Sequence, residues 1–490
     1  MPGSSRPNLL LFMTDQQRAD SVGALGNAAA RTPNLDALAA RGTRFTQAFS
    51  QHSACAQSRI AMMTGWYPHV AGHRTLDNLL KPWEPNVLAT LRAAGYHVAW
   101  PGVRGDTFAP GVTASSTDFF GYLVAPSLDV WAASHREVFP PGHPMRHAHY
   151  TGRLETGGPS PDEAAVQTAI ALLEDGVPEP FVLFVTLFAP HPPFAVEEPW
   201  FSLHDRADMP APGPPGQGKP GFMGALRDAS GLDRLTDADW AELAATYYGM
   251  VSRVDDQLGR LLVALDRAGV ADRTVTFTYT DHGEYLGDFG LVEKWPSGLD
   301  DCLLRNPLLV AGPGVAEGAV HDGLVEMIDL VPTLCELAET EVGHVQFGRS
   351  LVPALRGHAE RARRDVAFSE GGFRVDEETQ NELRAEYPYD VKTAVVHDRP
   401  ELVGRAIAMR TDDWTYVYRT CEDDELYDRR ADPGERVNVA GTAANGETVR
   451  ALRDRVLHWL VETSDVIPLA RDPRLEPALL DEMLSARRSR

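Results

Sequence analysis

The sequence predicts an α/β protein built around a largely parallel β-sheet, and three features of the chain indicate this fold. Short apolar runs alternate along the chain with segments that are apolar at helical spacing. The apolar runs are nearly continuous, as expected for strands that are buried on both faces of a sheet. Polar side chains follow directly after several of these runs, and this is where open α/β sheets bind their ligands.

The predicted strands are five short apolar runs: NLLLFM (8–13), YHVAW (96–100), FVLFVTLF (181–188), TVTFTYT (274–280) and PLLVAG (307–312). Segments with apolar residues at helical spacing lie between them: TPNLDALAARGTRF, NVLATLRAAGY and YYGMVSRVDDQLGRLLVALDRAG. Strands that are joined through helices favour parallel pairing, because a parallel pair needs a long crossover connection.

Length and composition indicate a globular protein with more than one core. The chain has 490 residues, of which 43% are hydrophobic and 23% are charged. From about residue 360 the sequence becomes charged and irregular. We therefore expect a large domain over residues 1–360, which carries the chemistry, and a smaller C-terminal subdomain of helices and strands over residues 361–490.

The chain is strongly acidic, with 46 Lys and Arg against 69 Asp and Glu, a net charge of −23. We expect no nucleic-acid partner and no membrane partner, because this charge repels both surfaces. No segment has the roughly 18 apolar residues of a membrane span, and the N-terminal stretch lacks a long apolar signal region. The four cysteines are scattered, which predicts neither a disulfide framework nor a zinc ribbon and favours the cytoplasm.

Acids, amides and imidazoles follow three of the predicted strands. The side chains concerned are Asp15, Gln16, His191, Asp281 and His282. Because the carboxyl ends of parallel strands meet at one edge of a sheet, we expect these side chains to share one crevice. The mostly oxygen donor set suits a hard divalent cation, calcium or manganese. Each residue alone is better explained by an ordinary strand-to-loop turn, so the prediction depends on their joint placement.

The segment QHSACAQSRIAMMTG (51–65) places a lone cysteine at the start of a helical pattern. At a helix N-terminus, Cys55 would face free backbone N–H groups and the positive end of the helix dipole, the usual setting of an activated nucleophile or an anion site. Arg59 would lie about one turn further along. The alternative is a buried apolar cysteine, because free cysteine is among the most buried residue types.

Motifs along nearly the whole chain resemble those of sulfatases. In the family's order they are NLLLFMTDQQRAD, TPNLDALAARGTRFTQAF, CAQSRIAMMTGWYPH, APHPPF, TDHGEYLGD, AGPGV, IDLVPTLCELA and ELYDRRADPGERVN. The chain is similar to the sulfatase and phosphonate monoester hydrolase group of the alkaline phosphatase superfamily. The resemblance implies an alkaline phosphatase-like fold and a metal-dependent sulfuric ester hydrolase (an arylsulfatase-type enzyme) that acts on a small organic sulfate.

The resemblance also implies a modified nucleophile. In this family a formylglycine-generating enzyme oxidises the cysteine of a C-x-P-x-R or C-x-A-x-R motif, and Cys55 and Arg59 fall on that motif. As an aldehyde hydrate, the modified residue binds the metal and attacks sulfur or phosphorus, and Arg59 holds the charged hydrate. The implied metal ligands are Asp15, Gln16, Asp281, His282 and an oxygen from residue 55.

The same resemblance assigns further residues to the substrate. His191 and Lys294 contact the transferred group or protonate the leaving oxygen, and His73 and Asn78 in HRTLDN approach the anion. From the local sequence alone, His73 is equally well explained as a loop histidine bonded to the backbone, and Lys294 as a solvated lysine. The segment HPMRHAH (143–149) has no counterpart in the family, and we expect it to be a surface loop.

Three positions depart from the family pattern. Gln57 stands where proline or alanine is expected, which bears on recognition by the activating enzyme. A family lysine is replaced by Val103, and the nearest cation is Arg104, which we assign to substrate binding. Gln16 replaces a second aspartate, a pattern closer to phosphonate monoester hydrolases than to many arylsulfatases.

Two alternatives to a sulfatase therefore stay open. One is a phosphonate monoester or phosphodiester hydrolase on the same scaffold. The other is a catalytically silent relative that binds an anion or a partner protein. We also expect a homo-oligomer, because relatives use irregular aromatic and aliphatic segments such as residues 386–409 between subunits, although this segment could equally pack on its own chain.

Overall fold

The computed structural model describes residues 6–103, 105–155, 158–377 and 386–466. Its strands are β1 (Asn8–Asp15), β2 (Gly42–Phe45), β3 (Ala48–Phe49), β4 (His97–Pro101), β5 (Phe119–Gly121), β6 (Tyr150–Leu154), β7 (Phe181–Pro190), β8 (Phe194–Glu197), β9 (Thr274–Thr280), β10 (Arg305–Asn306), β11 (Leu309–Ala311), β12 (Ala319–His321), β13 (Val325–Glu326), β14 (Ala367–Gly371), β15 (Ala406–Arg410), β16 (Trp414–Arg419) and β17 (Glu425–Asp428).

The α-helices of the described residues are α1 (Pro33–Ala40), α2 (Cys55–Thr64), α3 (Val87–Ala93), α4 (Val112–Ser116), α5 (Leu128–Ser134), α6 (Pro144–His147), α7 (Pro161–Glu174), α8 (Trp200–Leu203), α9 (Gly221–Ser230), α10 (Asp237–Arg267), α11 (Asp301–Leu304), α12 (Leu330–Leu337), α13 (Val352–Leu355), α14 (Ala359–Ala362), α15 (Asp390–Asp398) and α16 (Gly446–Glu462). Among these residues no helix is both long enough and apolar enough to cross a bilayer.

The main sheet has eight strands in the order β12-β2-β11-β9-β1-β7-β4-β5. Its centre is parallel, because β1 pairs in parallel with β7 and β9, and β7 pairs in parallel with β4. The strand β11 runs antiparallel to both β9 and β2. All five predicted strands are present, and the prediction of a largely parallel sheet is confirmed, with β11 as the exception.

Both faces of the main sheet are covered, which explains the continuous apolar runs. Successive residues of a strand point to opposite faces. In β1, Leu10 and Phe12 join one core with residues of α7 and α10, whereas Leu9, Leu11 and Met13 join a second core with residues of α3 and α12. The sheet is therefore the middle layer between two layers of helices.

The register of the central strands brings their carboxyl ends together. Thr14 lies opposite Thr280, so Asp15 and Asp281, the next residue of each strand segment, are neighbours. Asp15 also lies opposite the last residue of β7, and His191 follows that residue directly. One edge of the sheet thus collects polar side chains from three strands.

A second, antiparallel sheet of β14, β15, β16 and β17 lies in the C-terminal part of the chain, with α16 against β16. The α+β character predicted for this region is confirmed, while the domain boundary near residue 360 stays a prediction. Ala406, Ala408 and Val417 of this sheet belong to the same core as Leu10 and Phe12 of the main sheet. The small sheet is consequently packed into the large domain.

Arg364, which precedes β14, joins the small sheet to the large domain through buried charges. It lies 2.8 Å from Glu326 and its Nε donates to Asp329 at 3.0 Å, and both carboxylates are fully buried. Its neighbour Arg363 pairs with Asp412 at 2.6 Å, but both of those side chains are about half exposed. Arg364 therefore makes buried ion pairs, whereas its neighbour Arg363 makes an exposed one.

Arg364→Ala should destabilise the fold far more than Arg363→Ala. The first substitution leaves two buried carboxylates without their cation and should lower the free energy of unfolding by about 3–5 kcal/mol. The second removes an exposed pair and should cost less than about 1 kcal/mol. Urea unfolding of both variants measures the difference. Equal losses of unfolding free energy in the two variants would show that Arg364 does not stabilise the contact between the small sheet and the large domain.

Candidate active site

The carboxyl ends of β1 and β9 form a buried cluster of four potential metal ligands. One ligand atom each from Asp15, Cys55, Asp281 and His282 lies within 4.8 Å of all the others. The sulfur of Cys55 is 3.3 Å from His282 Nε2 and 3.7 Å from Asp15 Oδ1. Cys55 is buried, as the apolar alternative requires, but its neighbours are polar. The structure thus brings together four of the five predicted metal ligands.

His282 presents its basic nitrogen to this cluster. Its Nδ1 lies 2.9 Å from the carbonyl oxygen of Gly283, which makes Nδ1 the protonated donor and leaves the lone pair on Nε2. Burial lowers the pKa of His282, even though the nearby Asp281 carboxylate opposes this, so the ring is neutral. A neutral imidazole nitrogen together with carboxylate oxygens fits a borderline-to-hard divalent cation such as Ca²⁺ or Mn²⁺.

The guanidinium of Arg59 binds three carboxylates beside the cluster. Its N–H groups donate to Asp281 at 2.8 Å, to Asp15 at 2.9 Å and to Asp106 at 3.0 Å. Burial alone would lower the pKa of Arg59, but the three carboxylates hold it well above its usual value. Asp106 was not a sequence candidate.

The local structure explains why Cys55 and the guanidinium of Arg59 lie together. The helix α2 begins at Cys55 and is buried along its whole length. Arg59 follows four residues later, so it lies on the same face of the helix, one turn further along. Ser58 Oγ donates to the carbonyl oxygen of Asp281 at 2.7 Å, which fastens the first turn to the end of β9. The predicted helix start is therefore present.

Gln16 connects the cluster to Lys294. Its backbone adopts a left-handed φ of 63°. Its side-chain oxygen accepts a hydrogen bond from Lys294 Nζ at 2.6 Å, and its amide nitrogen donates to the buried Glu284. A carbonyl oxygen has two lone pairs, so this contact leaves one of them for a cation. The role of Gln16 as a metal ligand stays a prediction.

Lys294 and His191 form a pair next to the cluster. Lys294 Nζ lies 3.0 Å from His191 Nε2 and donates to Glu293 Oε1 at 2.6 Å. Because His191 Nδ1 lies 2.5 Å from the carbonyl oxygen of Pro192, Nδ1 carries the proton and Nε2 accepts from the ammonium. Burial would lower the pKa of Lys294, but the negative charge of Cys55 in its thiolate form and the Glu293 carboxylate raise it well above its usual value. Lys294 is therefore a fixed positive charge.

The C-terminal part of the chain contributes two residues that sequence reasoning missed. Tyr389 Oη lies 3.4 Å from His191 Nε2, and Lys392 Nζ donates to Glu293 Oε2 at 2.7 Å. Burial raises the pKa of Tyr389, so its phenol stays protonated and can donate a hydrogen bond. Both residues lie in segment 386–409, whose aromatic content we interpreted as a subunit contact. No local motif distinguishes a tyrosine in the site from one at an interface.

The histidine-rich segment 143–149 is not simply a surface loop, and that prediction is wrong in part. Its middle forms the short helix α6, and His149 is only 6% exposed. The ring of His149 lies 5.5 Å from that of Tyr389. Burial lowers the pKa of His149 to about 4, so the ring is neutral at physiological pH. It packs behind the site residue Tyr389.

The predicted anion-binding residues lie in a tightly bonded loop. His73 Nδ1 is 2.5 Å from the carbonyl oxygen of Asn78, and His73 Nε2 is 3.1 Å from Glu84. The side-chain oxygen of Asn78 accepts from Lys81 at 2.5 Å. These contacts stabilise the loop, and the role of both residues toward an anion stays a prediction. Arg104 lies outside the described residues.

The chain is similar to known proteins along most of its length. The model of the family described as Sulfatase matches residues 7–340. The chain is 28% identical to the multifunctional alkaline phosphatase superfamily protein PehA of Trinickia caryophylli, over 94% of this chain and 96% of that protein. It is 27% identical to the choline-sulfatase of Rhizobium meliloti (strain 1021), over 94% of this chain and 88% of that protein.

A solved structure shows the same fold. The phosphonate monoester hydrolase of Agrobacterium radiobacter superposes with a TM-score of 0.75 at 24% sequence identity, over 94% of this chain and 96% of that one. The predicted alkaline phosphatase-like fold is therefore confirmed.

Removal of one cluster carboxylate should abolish binding of Ca²⁺ or Mn²⁺. In Asp15→Asn the cluster loses a charged ligand, whereas Asp106→Asn removes a carboxylate from the same Arg59 but not from the cluster. In the wild type, an ion at about 100 times its dissociation constant should add about 2.7 kcal/mol of stability and raise the Tm. Asp106→Asn should keep this gain and Asp15→Asn should lose it, as measured by calorimetry on chelator-treated protein. A wild-type response from Asp15→Asn would disprove the metal assignment.

Proposed function

The chain belongs to the sulfatase family of sulfuric ester hydrolases, and on that basis we propose that it hydrolyses a small organic sulfate ester with formylglycine derived from Cys55 as the nucleophile. The observation that carries the proposal is the meeting of two groups of side chains at one edge of the sheet. The ligand cluster of Asp15, Cys55, Asp281 and His282 lies beside the Lys294–His191 pair, to which Gln16 connects it.

The cluster side of the site would hold the cation and the nucleophile. Asp15, Asp281 and His282 supply ligands, and the carbonyl oxygen of Gln16 and an oxygen of residue 55 complete the proposed set. A bound divalent cation supplies Lewis-acid charge that favours an oxygen nucleophile at neutral pH. In the hydrated aldehyde, one hydroxyl attacks sulfur as the ester S–O bond breaks, and the other later loses its proton, which expels sulfate and restores the aldehyde.

The other side of the site would serve the leaving group. The departing alkoxide needs a hydrogen bond or a proton, and Lys294 is a buried cation held in place by Glu293 and Gln16. His191 is fixed with Nε2 toward Lys294, so it accepts a hydrogen bond from the ammonium and positions it. The protonated phenol of Tyr389 is a further donor at the same place. These contacts support the assignment of His191 and Lys294 to the leaving oxygen.

Turnover of 4-nitrophenyl sulfate in the presence of Ca²⁺ or Mn²⁺ tests this proposal. Intact mass reports the conversion of Cys55, because formylglycine is roughly 18 Da lighter than cysteine. Cys55→Ala should lose nearly all turnover. Cys55→Ser keeps a hydroxyl that can attack but lacks the second hydroxyl, so a covalent sulfo-enzyme should accumulate and be visible by mass. Wild-type turnover in Cys55→Ala, or a converted, metal-loaded wild type without turnover, would refute the proposal.

Gln57→Pro should raise the converted fraction and the kcat per total protein in a host without a matched activating system. Gln57 is the third residue of α2, where a helix tolerates proline because its N–H has no partner within the helix. The substitution also removes the hydrogen bond from Gln57 Nε2 to the carbonyl oxygen of Arg74 at 3.1 Å, a loss of about 1 kcal/mol.

Gln57→Ser is the matched control, since it loses the same hydrogen bond without presetting the backbone. Intact mass and kcat are measured for both variants after expression in the same host. If Gln57→Ser raises conversion as much as Gln57→Pro, backbone geometry is not the cause.

A phosphonate monoester or phosphodiester hydrolase is the second candidate. It is supported by Gln16 in place of a second aspartate and by the relative from Trinickia caryophylli, which is described as multifunctional. Relative kcat/KM values for a sulfate monoester, a phosphonate monoester and a phosphodiester with the same leaving group decide between the candidates. An unmodified Cys55 together with no bound metal would instead favour a catalytically silent relative.

A cytoplasmic location and a homo-oligomer are also part of the proposal. Absence of disulfides from the four cysteines supports the first. For the second, Tyr389 in segment 386–409 already lies beside His191 of its own chain, so any subunit contact would be made by the rest of that segment.

A further inference from the structure

A cavity of about 470 Å³ adjoins the leaving-group side of the candidate active site. His191 and Tyr389 form part of its wall, and further parts come from α5, the start of α7, the middle of α10 and the ends of β6, β7 and β8. The volume lies within the roughly 300–1,000 Å³ of small-molecule sites. Since His191 also contacts Lys294 at 3.0 Å, a group in this cavity would lie next to the residues assigned to the leaving oxygen.

We propose that this cavity binds the alcohol part of the ester and selects an aromatic or other apolar group that carries no second negative charge. The inference rests on the proposed function, because it takes the sulfuryl end of the substrate to lie at Cys55. It assigns a binding place to the alcohol part of the substrate, which the ligand cluster does not contact.

The apolar wall is suited to a planar ring. The ring of Trp131 lies 4.9 Å from that of Phe188 at an angle of 63°, and 4.1 Å from that of His135. Met250 and Pro192 continue this surface. Aromatic rings favour stacked and edge-to-face contacts at such distances, each worth about 0.5–1.5 kcal/mol beyond the area that is buried. A benzene-sized alcohol would therefore find aromatic partners here.

The charges of the wall oppose a second anion. Its carboxylates are Glu155, Asp162, Glu163 and Glu197. Among the described residues of the wall, Arg253 is the sole Lys or Arg, and it already pairs with Glu197 at 2.6 Å. Burial lowers the pKa of His135, so this ring adds no positive charge at neutral pH. Of these acids, Glu163 is paired with Arg260 at 2.6 Å, and Asp162 accepts from the backbone N–H groups of Phe188 and Ala189. A carboxylate or a second sulfate on the alcohol would therefore find, in the described part of the wall, no Lys or Arg without a carboxylate partner.

Three aryl sulfates of similar leaving-group acidity test the charge preference. They are phenyl sulfates with a hydroxymethyl, an aminomethyl or a carboxymethyl group at the 3-position, which are neutral, cationic and anionic respectively. The carboxymethyl compound should have a kcat/KM at least about tenfold below the other two. Glu155→Lys, at the exposed rim, should reduce this discrimination. Equal kcat/KM values for all three substrates would overturn the proposal.

A pair of tryptophan variants tests the aromatic wall. Trp131→Ala should raise the KM for 4-nitrophenyl sulfate by about tenfold while the inhibition constant of inorganic sulfate, which lacks the alcohol part, stays unchanged. Trp83→Ala makes the same change at a side chain that is 74% exposed and does not line the cavity, and it should leave both constants unchanged. Equal KM values in the two variants would contradict the assignment of the cavity.

The cavity can be tested even if the proposed sulfatase function is wrong. If sulfates are not cleaved but the corresponding aryl phosphonates are, the same three substituents are compared on phosphonates. If neither class is cleaved, calorimetric binding of the three free phenols to the wild type and to Trp131→Ala decides the question without turnover. Weaker binding of the carboxymethyl phenol and loss of binding in Trp131→Ala support the cavity, and the absence of both effects overturns it.

Discussion

The buried guanidinium of Arg59 is the interaction on which the candidate site depends. Two neighbouring strands end in aspartates whose carboxylates are fully buried, and their repulsion is strong because the interior screens charge poorly. Arg59 donates to both of them and to Asp106. Without it, two buried carboxylates would lack their protein cation, a change that costs several kcal/mol. Since Arg59 and Cys55 share one helix, the ion pairs that relieve this repulsion also fix the position of the nucleophile.

Gln16 connects the ligand cluster to the Lys294–His191 pair. Its backbone N–H donates to Asp281 at 3.1 Å, and its side-chain oxygen accepts from Lys294 at 2.6 Å. The left-handed backbone at this residue turns the chain sharply after β1, so both groups point into the same crevice. Lys294 in turn pairs with Glu293, which also binds Lys392 from the C-terminal part. Helix α15 of the C-terminal part is therefore connected to the candidate site through a series of charged side chains.

The sequence predicts the site residues that follow from local patterns, but not those that a distant segment of the chain contributes. Asp15, His191 and Asp281 were foreseeable because parallel strands end at one edge, and the start of α2 because Cys55 precedes a helical pattern. Tyr389 was not foreseeable, since its place beside His191 depends on how a C-terminal segment folds back over the sheet. The antiparallel direction of β11 was equally hidden, because an apolar run does not encode the direction of its strand.

The helix that positions Cys55 also removes it from solvent. Cys55 is 6% exposed and every residue of α2 is buried, so an enzyme that oxidises this cysteine has no access to it in the folded protein. Local unfolding of α2 would break all three ion pairs of Arg59, two of which are to fully buried carboxylates, and would therefore be costly. Under the proposed function, conversion of Cys55 would therefore precede the closing of the chain around the helix. A residue at position 57 that slows recognition would then compete with folding: it would lower the converted fraction and leave the folded structure of each molecule unchanged.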